Sequence, residues 1–206
     1  MNGIGSGKKI LDTVSDRIIA ATSGKTILAA LAGFFLFGFL VNSRPFGAAE
    51  LMAITGGVGL LDMQVLYTPE QAYAHLAAMG EAGRAFDLTR IVPLDMFVPF
   101  FAALAFSLVI TWLLHRWLPQ KSRWHRLNVV PVIGGICDYL ENIGIVVMLL
   151  AWPAALPDIA RFTMTATVFK FALYALAFTI IFCALAGWVV TGIRARCRRG
   201  ADNRPV

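Results

Sequence analysis

A chain of 206 residues that is 58% hydrophobic and only 15% charged, with a mean hydropathy of +0.71, carries more apolar surface than a soluble domain of this size can bury. Composition therefore excludes an ordinary water-soluble enzyme and points to a membrane. A formal net charge of +6 raises nucleic acid as a partner, but the basic residues form short clusters beside hydrophobic runs, with no aromatic-interleaved polar groove, so none is expected.

The N-terminal segment, 1–24, opens with a Gly/Ser-rich tip. Ile10, Leu11, Val14 and Ile18 then recur at helical spacing against Lys8, Lys9, Asp12, Asp16 and Arg17. That pattern predicts an interfacial amphipathic helix, with a frayed, solvated terminus as the alternative. A first span is predicted over 26–42, just long enough to cross a hydrocarbon core if Lys25 and Asn42 reach the interfaces. A cleavable signal peptide is the competing reading, and the long segment ahead of the run argues against it.

Residues 43–90 change character. The stretch AAELMAITGGVGLLDMQVLY is apolar but broken by Gly56, Gly57 and Gly59, which predicts a re-entrant or interface-hugging segment. Thr68-Pro69-Glu70-Gln71 is a helix start, with Thr68 as cap, proline at the first helical position and Gln71 closing a capping box. The helix that follows presents Tyr73, Leu76, Met79 and Phe86 to one side and is expected to lie on the membrane surface, with breaks at Gly80 and Gly83.

A second span is predicted over 91–114, with Asp95 one turn inside its start and Pro99 placed to kink it. After a basic connection come a third span over 129–152, a short loop, a fourth span over 162–190 carrying Lys170, and a basic tail, 195–206. The 25–194 portion reads as a four-helix transmembrane domain. The expected fold class is thus an all-α integral membrane protein. It is a four-transmembrane-helix bundle with an N-terminal amphipathic helix and an extracytoplasmic helical or re-entrant insertion between the first two spans. No internal repeat relates the two halves, which argues against an inverted-repeat transporter.

Lys and Arg counts orient the bundle. The N-terminal segment, the loop after the second span and the tail together hold thirteen of the basic residues on one side of a four-span chain. Only Arg44, Arg84, Arg90 and Arg161 fall on the other. Both termini are expected in the cytoplasm, with Trp112, Trp117, Trp124 and Trp188 marking the inner aromatic belt and Trp152 the outer one. Cys137, Cys183 and Cys197 form no CxxC and read as free thiols, and His75, His115 and His125 are scattered, so no metal site is expected and no cofactor is identified.

The third span carries the chemistry. In VIGGICDYLENIGIV, Asp138, Glu141 and Asn142 fall at i, i+3 and i+4 and point from one face that lipid cannot cover. At about 1.5 Å per residue, Glu141 lies roughly 16 Å below the outer surface, Asp138 roughly 21 Å and Lys170 roughly 12 Å. Lys170 on the antiparallel fourth span is the expected partner of Glu141, with Tyr174 one turn further on. Asp95 is placed at the mouth. Three carboxylates against one ammonium require a proton, a cation or an arginine, and Arg84 or Arg90 is the arginine expected to swing in. The roles assigned are Glu141 as acid/base, Asp138 as its tuner, Lys170 as electrostatic partner, and Asp95, Asn142, Tyr174, Arg84 and Arg90 as substrate-binding groups. The alternative is that the polar network only ties helices together, at about 0.6 kcal/mol per hydrogen bond. Gly134 and Gly135 read as packing glycines, and Asp62 as a residue that caps the cavity or stands apart from it.

YTPEQAYAHLAAMGEAGR ahead of a span, LDMFVPF at its start and DYLEN in the next resemble a widespread group of small bacterial four-helix membrane proteins with a DYxEN-type motif and no assigned activity. The resemblance covers Leu60 to Lys170. It implies a bacterial inner-membrane protein of this topology and supplies no reaction.

Three functions follow from these readings. The first is binding or acid/base processing of a lipid-like or isoprenoid amphiphile at a carboxylate/lysine site open to the extracytoplasmic side. The second is a non-catalytic accessory or assembly subunit of a larger membrane complex. The third is a proton-coupled small-solute carrier. Membrane lipids are the expected partners, with other membrane subunits or a second copy of the chain as further candidates.

Overall fold

Hydrophobic runs interrupted by proline, glycine and capping residues give a fold that, among the described residues, is helical with no strands. The computed structural model describes residues 3–120 and 122–202, and the side chains of 3–6, 8, 195 and 197–202 fall outside that description. Lys8, Lys121, Cys197, Arg198, Arg199 and Arg204, used above for charge and thiol arguments, lie outside it, as does the end of the basic tail. The helices are α1 (Gly3–Ala21), α2 (Gly24–Asn42), α3 (Ala48–Thr55), α4 (Pro69–Ala78), α5 (Gly80–Phe86), α6 (Val92–Asp95), α7 (Phe97–Leu114), α8 (Val130–Ala151) and α9 (Pro157–Asp202). Four stretches among the described residues are long and apolar enough to cross a membrane: Gly24–Asn42, Gly80–Leu114, Arg123–Ala151 and Pro157–Arg194.

Helix α2 starts where Ser23 caps the backbone of Thr26 and the Thr26 hydroxyl returns to the Ser23 backbone, 2.9 Å away. Its Ala30 and Gly33 lie against α7; a side chain at Gly33 would collide with the Phe101 ring. Leu28, Phe35, Leu36 and Phe39 on its other faces are exposed, as lipid-facing residues should be.

The path from α5 to α7 differs from the expected span starting at residue 91. Helix continues unbroken in direction from Gly80 but changes its winding twice, and both changes trace to proline. Pro93 cannot donate to the carbonyl four residues back, and a π-helical turn, Asp87–Ile91, lies there. Pro99 has the same effect at Met96, where α6 gives way to α7. The fourth hydrophobic helix is also longer than expected, beginning at Pro157 and continuing without a break past 190.

The 43–90 segment is a folded cap. Gly56 and Gly57, with φ of 70° and 112°, end α3 in a conformation that side-chain-bearing residues avoid. The Thr68 and Gln71 capping box starts α4, with the Thr68 N–H donating to Gln71 at 2.8 Å. The apolar side of α4 was expected on the membrane surface. It is buried in protein instead: Leu51, Leu61, Leu76 and Met79 form one core with Ile145, Met148 and Ala160 of the α8/α9 hairpin. The Tyr73 hydroxyl accepts from the Leu156 N–H at 2.7 Å, tying α4 to the hairpin turn.

At the opposite end α1 docks on the turn Arg123–Val129. Asp12 meets Arg126 at 2.5 Å, and Asn128 donates to the Ser15 carbonyl and to Thr111. Trp112, Trp188 and Arg116 stack together there. One end of the bundle therefore carries α1 and this tryptophan cluster, and the other carries the cap and Trp152.

Candidate functional site

The site begins with small residues that let α8 and α9 touch. A Cβ at Gly144 would lie 2.0 Å from Thr163 Oγ1, so at this crossing only glycine fits. From that contact the antiparallel helices run in register, one turn at a time: Gly144 faces Thr163, Glu141 faces Thr167, Asp138 faces Lys170 and Gly134 faces Tyr174. The opposite face of α8, with Ile133, Ile136, Leu140 and Ile143, is exposed. Helix α8 is thus polar inside and apolar outside.

Contacts along this ladder are specific. Lys170 Nζ pairs with Glu141 Oε2 and lies 3.6 Å from Asp138 Oδ1. Thr167 donates to Glu141 Oε1 at 2.5 Å, and Tyr174 donates to Asp138 Oδ2 at 3.3 Å. From the third element, Asp95 Oδ2 accepts from Asn142 at 2.6 Å, and Tyr139 donates to the Met96 carbonyl at the helix break at 2.8 Å. Asp138, Glu141, Asn142 and Lys170 are all buried.

A recess of about 210 Å³ opens beside this network, lined by Asp95, Asp138, Lys170 and Tyr174 together with Gly38 and Val41 of α2 and Asp62 of the cap. A second hollow of about 360 Å³ adjoins it, sharing Val98, Asp138, Phe171 and Tyr174 and continuing along Phe34, Ala102, Phe106 and Phe178. Together they form one groove, because α2 packs on α6 and α7 while α9 packs on α8 and α7, leaving the space between α2 and α9 as a lateral opening. The groove is polar at the cap end and apolar towards the other.

Not every expected site residue lies there. Asp95, Asp138, Lys170 and Tyr174 line the recess, and Asn142 reaches it through Asp95. Glu141 does not: it is fully enclosed behind Lys170 and Thr167. A direct acid/base role for Glu141 on a bound molecule is therefore corrected, since of the two carboxylates on α8 it is Asp138 that meets the recess. Neither arginine swings in. Arg84 stacks 4.4 Å above the Trp152 ring and donates to the Leu76 carbonyl at 2.8 Å, and Arg90 is exposed. Long side chains at the rim found nearer aromatic and backbone partners.

Residues of the cap and of the α5-to-α7 stretch complete the site, among them Asp62, which the sequence left between capping the cavity and standing apart from it. Asp62 lines the recess, and its Oδ1 is buried without a hydrogen-bond partner. Burial pushes its carboxyl above the ordinary aspartate value, against the pull of Lys170. Asp62 also meets Asp87, Asp95 and Asn142 around a small enclosed space of about 10 Å³, on the scale of one water molecule. Tyr67, whose hydroxyl is buried and unpartnered, is pushed up to about 12 by burial, with Thr167 and Glu141 beside it. Thr163 and Thr167 had a signal, since with Lys170 and Tyr174 they recur at i, i+4, i+7 and i+11. For Asp62 the choice stayed open, because its glycine-broken segment has no period from which to read a face.

Among the described residues no group of three or more His, Cys, Asp or Glu side chains has the geometry to hold a metal ion. The chain matches no family model, no curated protein and no solved structure. The site's function must therefore be argued from its chemistry.

Proposed function

We propose that the protein binds a membrane amphiphile that enters sideways from the bilayer between α2 and α9, its head in the recess and its tail along the groove. The observation that carries this reading is the joining of two unlike spaces: about 210 Å³ bearing Asp62, Asp95, Asp138 and Lys170, and about 360 Å³ walled by Phe34, Phe106, Phe171 and Phe178. A polar terminus on a narrow apolar channel matches one headgroup and one chain better than it matches a small polar solute. The helices that flank the opening expose Phe35, Phe39, Phe169 and Phe182 outward, so the entrance faces lipid.

In this reading Asp138 is the group that touches the head, with Lys170 standing beside it. Glu141 is a positioning residue that holds the ammonium from behind, and Thr167 fixes the Glu141 carboxylate. Asp138 is the carboxyl positioned to exchange a proton with a bound head, because Tyr174 and Lys170 each approach one of its two oxygens and it faces the recess. With thirteen Lys and Arg on the α1 side, both termini belong to the cytoplasm of a bacterial inner-membrane protein and the recess opens towards the outer leaflet.

The test is native mass spectrometry of the chain extracted with its own lipids. Ala175 is exposed on α9 and lines the apolar groove, so Ala175→Trp fills the groove without displacing the core. The wild-type chain should retain one amphiphile per copy and Ala175→Trp should lose it while melting at the same temperature. Equal retention in both would contradict the reading.

A further inference from the structure

Given the groove as an amphiphile site, its recess also carries information about the head. Three carboxylates line it, from three separate elements: Asp62 from the cap, Asp95 from α6 and Asp138 from α8. Against them stands, among the described residues, one cation, Lys170, and that cation is already taken. Its ammonium pairs with the enclosed Glu141 and lies 3.6 Å from Asp138. The two arginines nearest in sequence are committed elsewhere or exposed, as described above.

Hydrogen bonding points the same way. Asp95 takes one bond from Asn142 and Asp138 takes one from Tyr174, each on a single oxygen. Asp62 Oδ1 is cut off from solvent and takes none. A carboxylate oxygen accepts up to two bonds, so the recess is an array of acceptors short of donors. An anionic head, phosphate or carboxylate, would meet three like-charged groups and no free cation. A head that brings both positive charge and donors satisfies the deficit.

We propose that the occupant is an amphiphile with a cationic head, an alkylammonium-type group seated among Asp62, Asp95 and Asp138. The space of about 210 Å³ holds a head of several heavy atoms and no large sugar. Lys170 then acts as the fixed cation that keeps the buried Glu141 charged without competing for the recess, and the bound ammonium serves as the second. Discrimination against anionic lipids arises from the unpaired acceptors, because a head without positive charge leaves them buried and uncompensated.

The experiment uses the full chain in dodecyl maltoside and three probes with one tail: hexadecylammonium, hexadecyl phosphate and hexadecanol, each followed by native mass spectrometry. The ammonium should bind at least about tenfold more tightly than either of the others, which is about one decade in Kd. Asp62→Asn and Asp138→Asn, which keep side-chain size, should each cut that preference by about threefold or more. Ala175→Trp should remove all specific adducts. Equal binding of the three probes, or tighter binding of the phosphate, overturns the cationic head while the groove still stands if Ala175→Trp abolishes binding. Binding unchanged by Ala175→Trp overturns the groove itself. An ammonium preference that survives the two carboxylate substitutions combined also overturns the proposal, since it would then arise outside the recess.

Discussion

Replacing Lys170 with methionine removes the single ammonium of the buried ladder while keeping a side chain of similar length. Lys170 Nζ pairs with Glu141, which is fully enclosed, and lies 3.6 Å from Asp138, which is 7% exposed. Removing one partner of a buried pair leaves a charge with neither water nor counter-ion, at a typical cost of about 3–5 kcal/mol. The carboxylate relieves part of this by taking a proton. Lys170→Met is therefore expected to destabilise the chain by about 3 kcal/mol at neutral pH, with less loss in acid. Combining Lys170→Met with Glu141→Gln removes the orphan charge as well, and the pair should recover most of the loss. The assay is reversible unfolding in mixed dodecyl maltoside and dodecyl sulfate, read by tryptophan fluorescence across the double-mutant cycle. A loss below about 1 kcal/mol for Lys170→Met, or additive effects in the double variant, would refute the idea that this pair is buried and coupled.

Three further outcomes follow from the same coordinates. Gly144→Ala places a methyl 2.0 Å from Thr163 Oγ1 and should cost about 1–3 kcal/mol, partly restored by Thr163→Ala; Gly134→Ala, whose nearest neighbour is an ordinary 3.4 Å contact, should be tolerated, and thermal melts compare them. Because Asp62 holds its proton more tightly in the folded cap than in an open one, the closed form binds more protons and closure weakens as pH rises above the ordinary value of 3.8. Limited proteolysis of the segment 56–66 should accelerate over that rise, and Asp62→Asn should flatten the dependence. Cutting the Asp12–Arg126 contact with Asp12→Asn should leave the melt within about 0.5 kcal/mol, since both side chains are partly exposed; a larger loss would show that α1 is held mainly by that pair.

Sequence reading reached the helical class, the polar face of α8 and its partner Lys170 because those rest on period and on the expense of charge in apolar surroundings. Asp138, Glu141 and Asn142 announce a shared face by spacing alone. It failed where geometry is set by partners. Which carboxylate meets the recess depends on the depth of the α8/α9 crossing, and that depth is fixed by Gly144 against Thr163, a contact between residues far apart in the chain. Arg84 was expected at the carboxylates because charge attracts at any distance on paper; in the fold the Trp152 face and the Leu76 carbonyl lie closer. Asp62 was left between capping the cavity and standing apart from it because glycine breaks erase the periodicity that would assign it a direction. The cap was expected at the membrane surface because an amphipathic helix reads the same whether lipid or protein covers its apolar side.

The most direct test of the lateral groove is photolabelling in lipid vesicles with a single-chain alkylammonium amphiphile carrying a diazirine along its chain, followed by peptide mapping of the adducts. Labels concentrated on the groove lining, at Phe34, Val98, Ala102, Phe106, Phe171 and Tyr174, and lost in Ala175→Trp, are the predicted result. Labels confined to the outward faces, at Leu36, Phe39, Ile143 and Phe182, with the groove unmodified, would contradict the account.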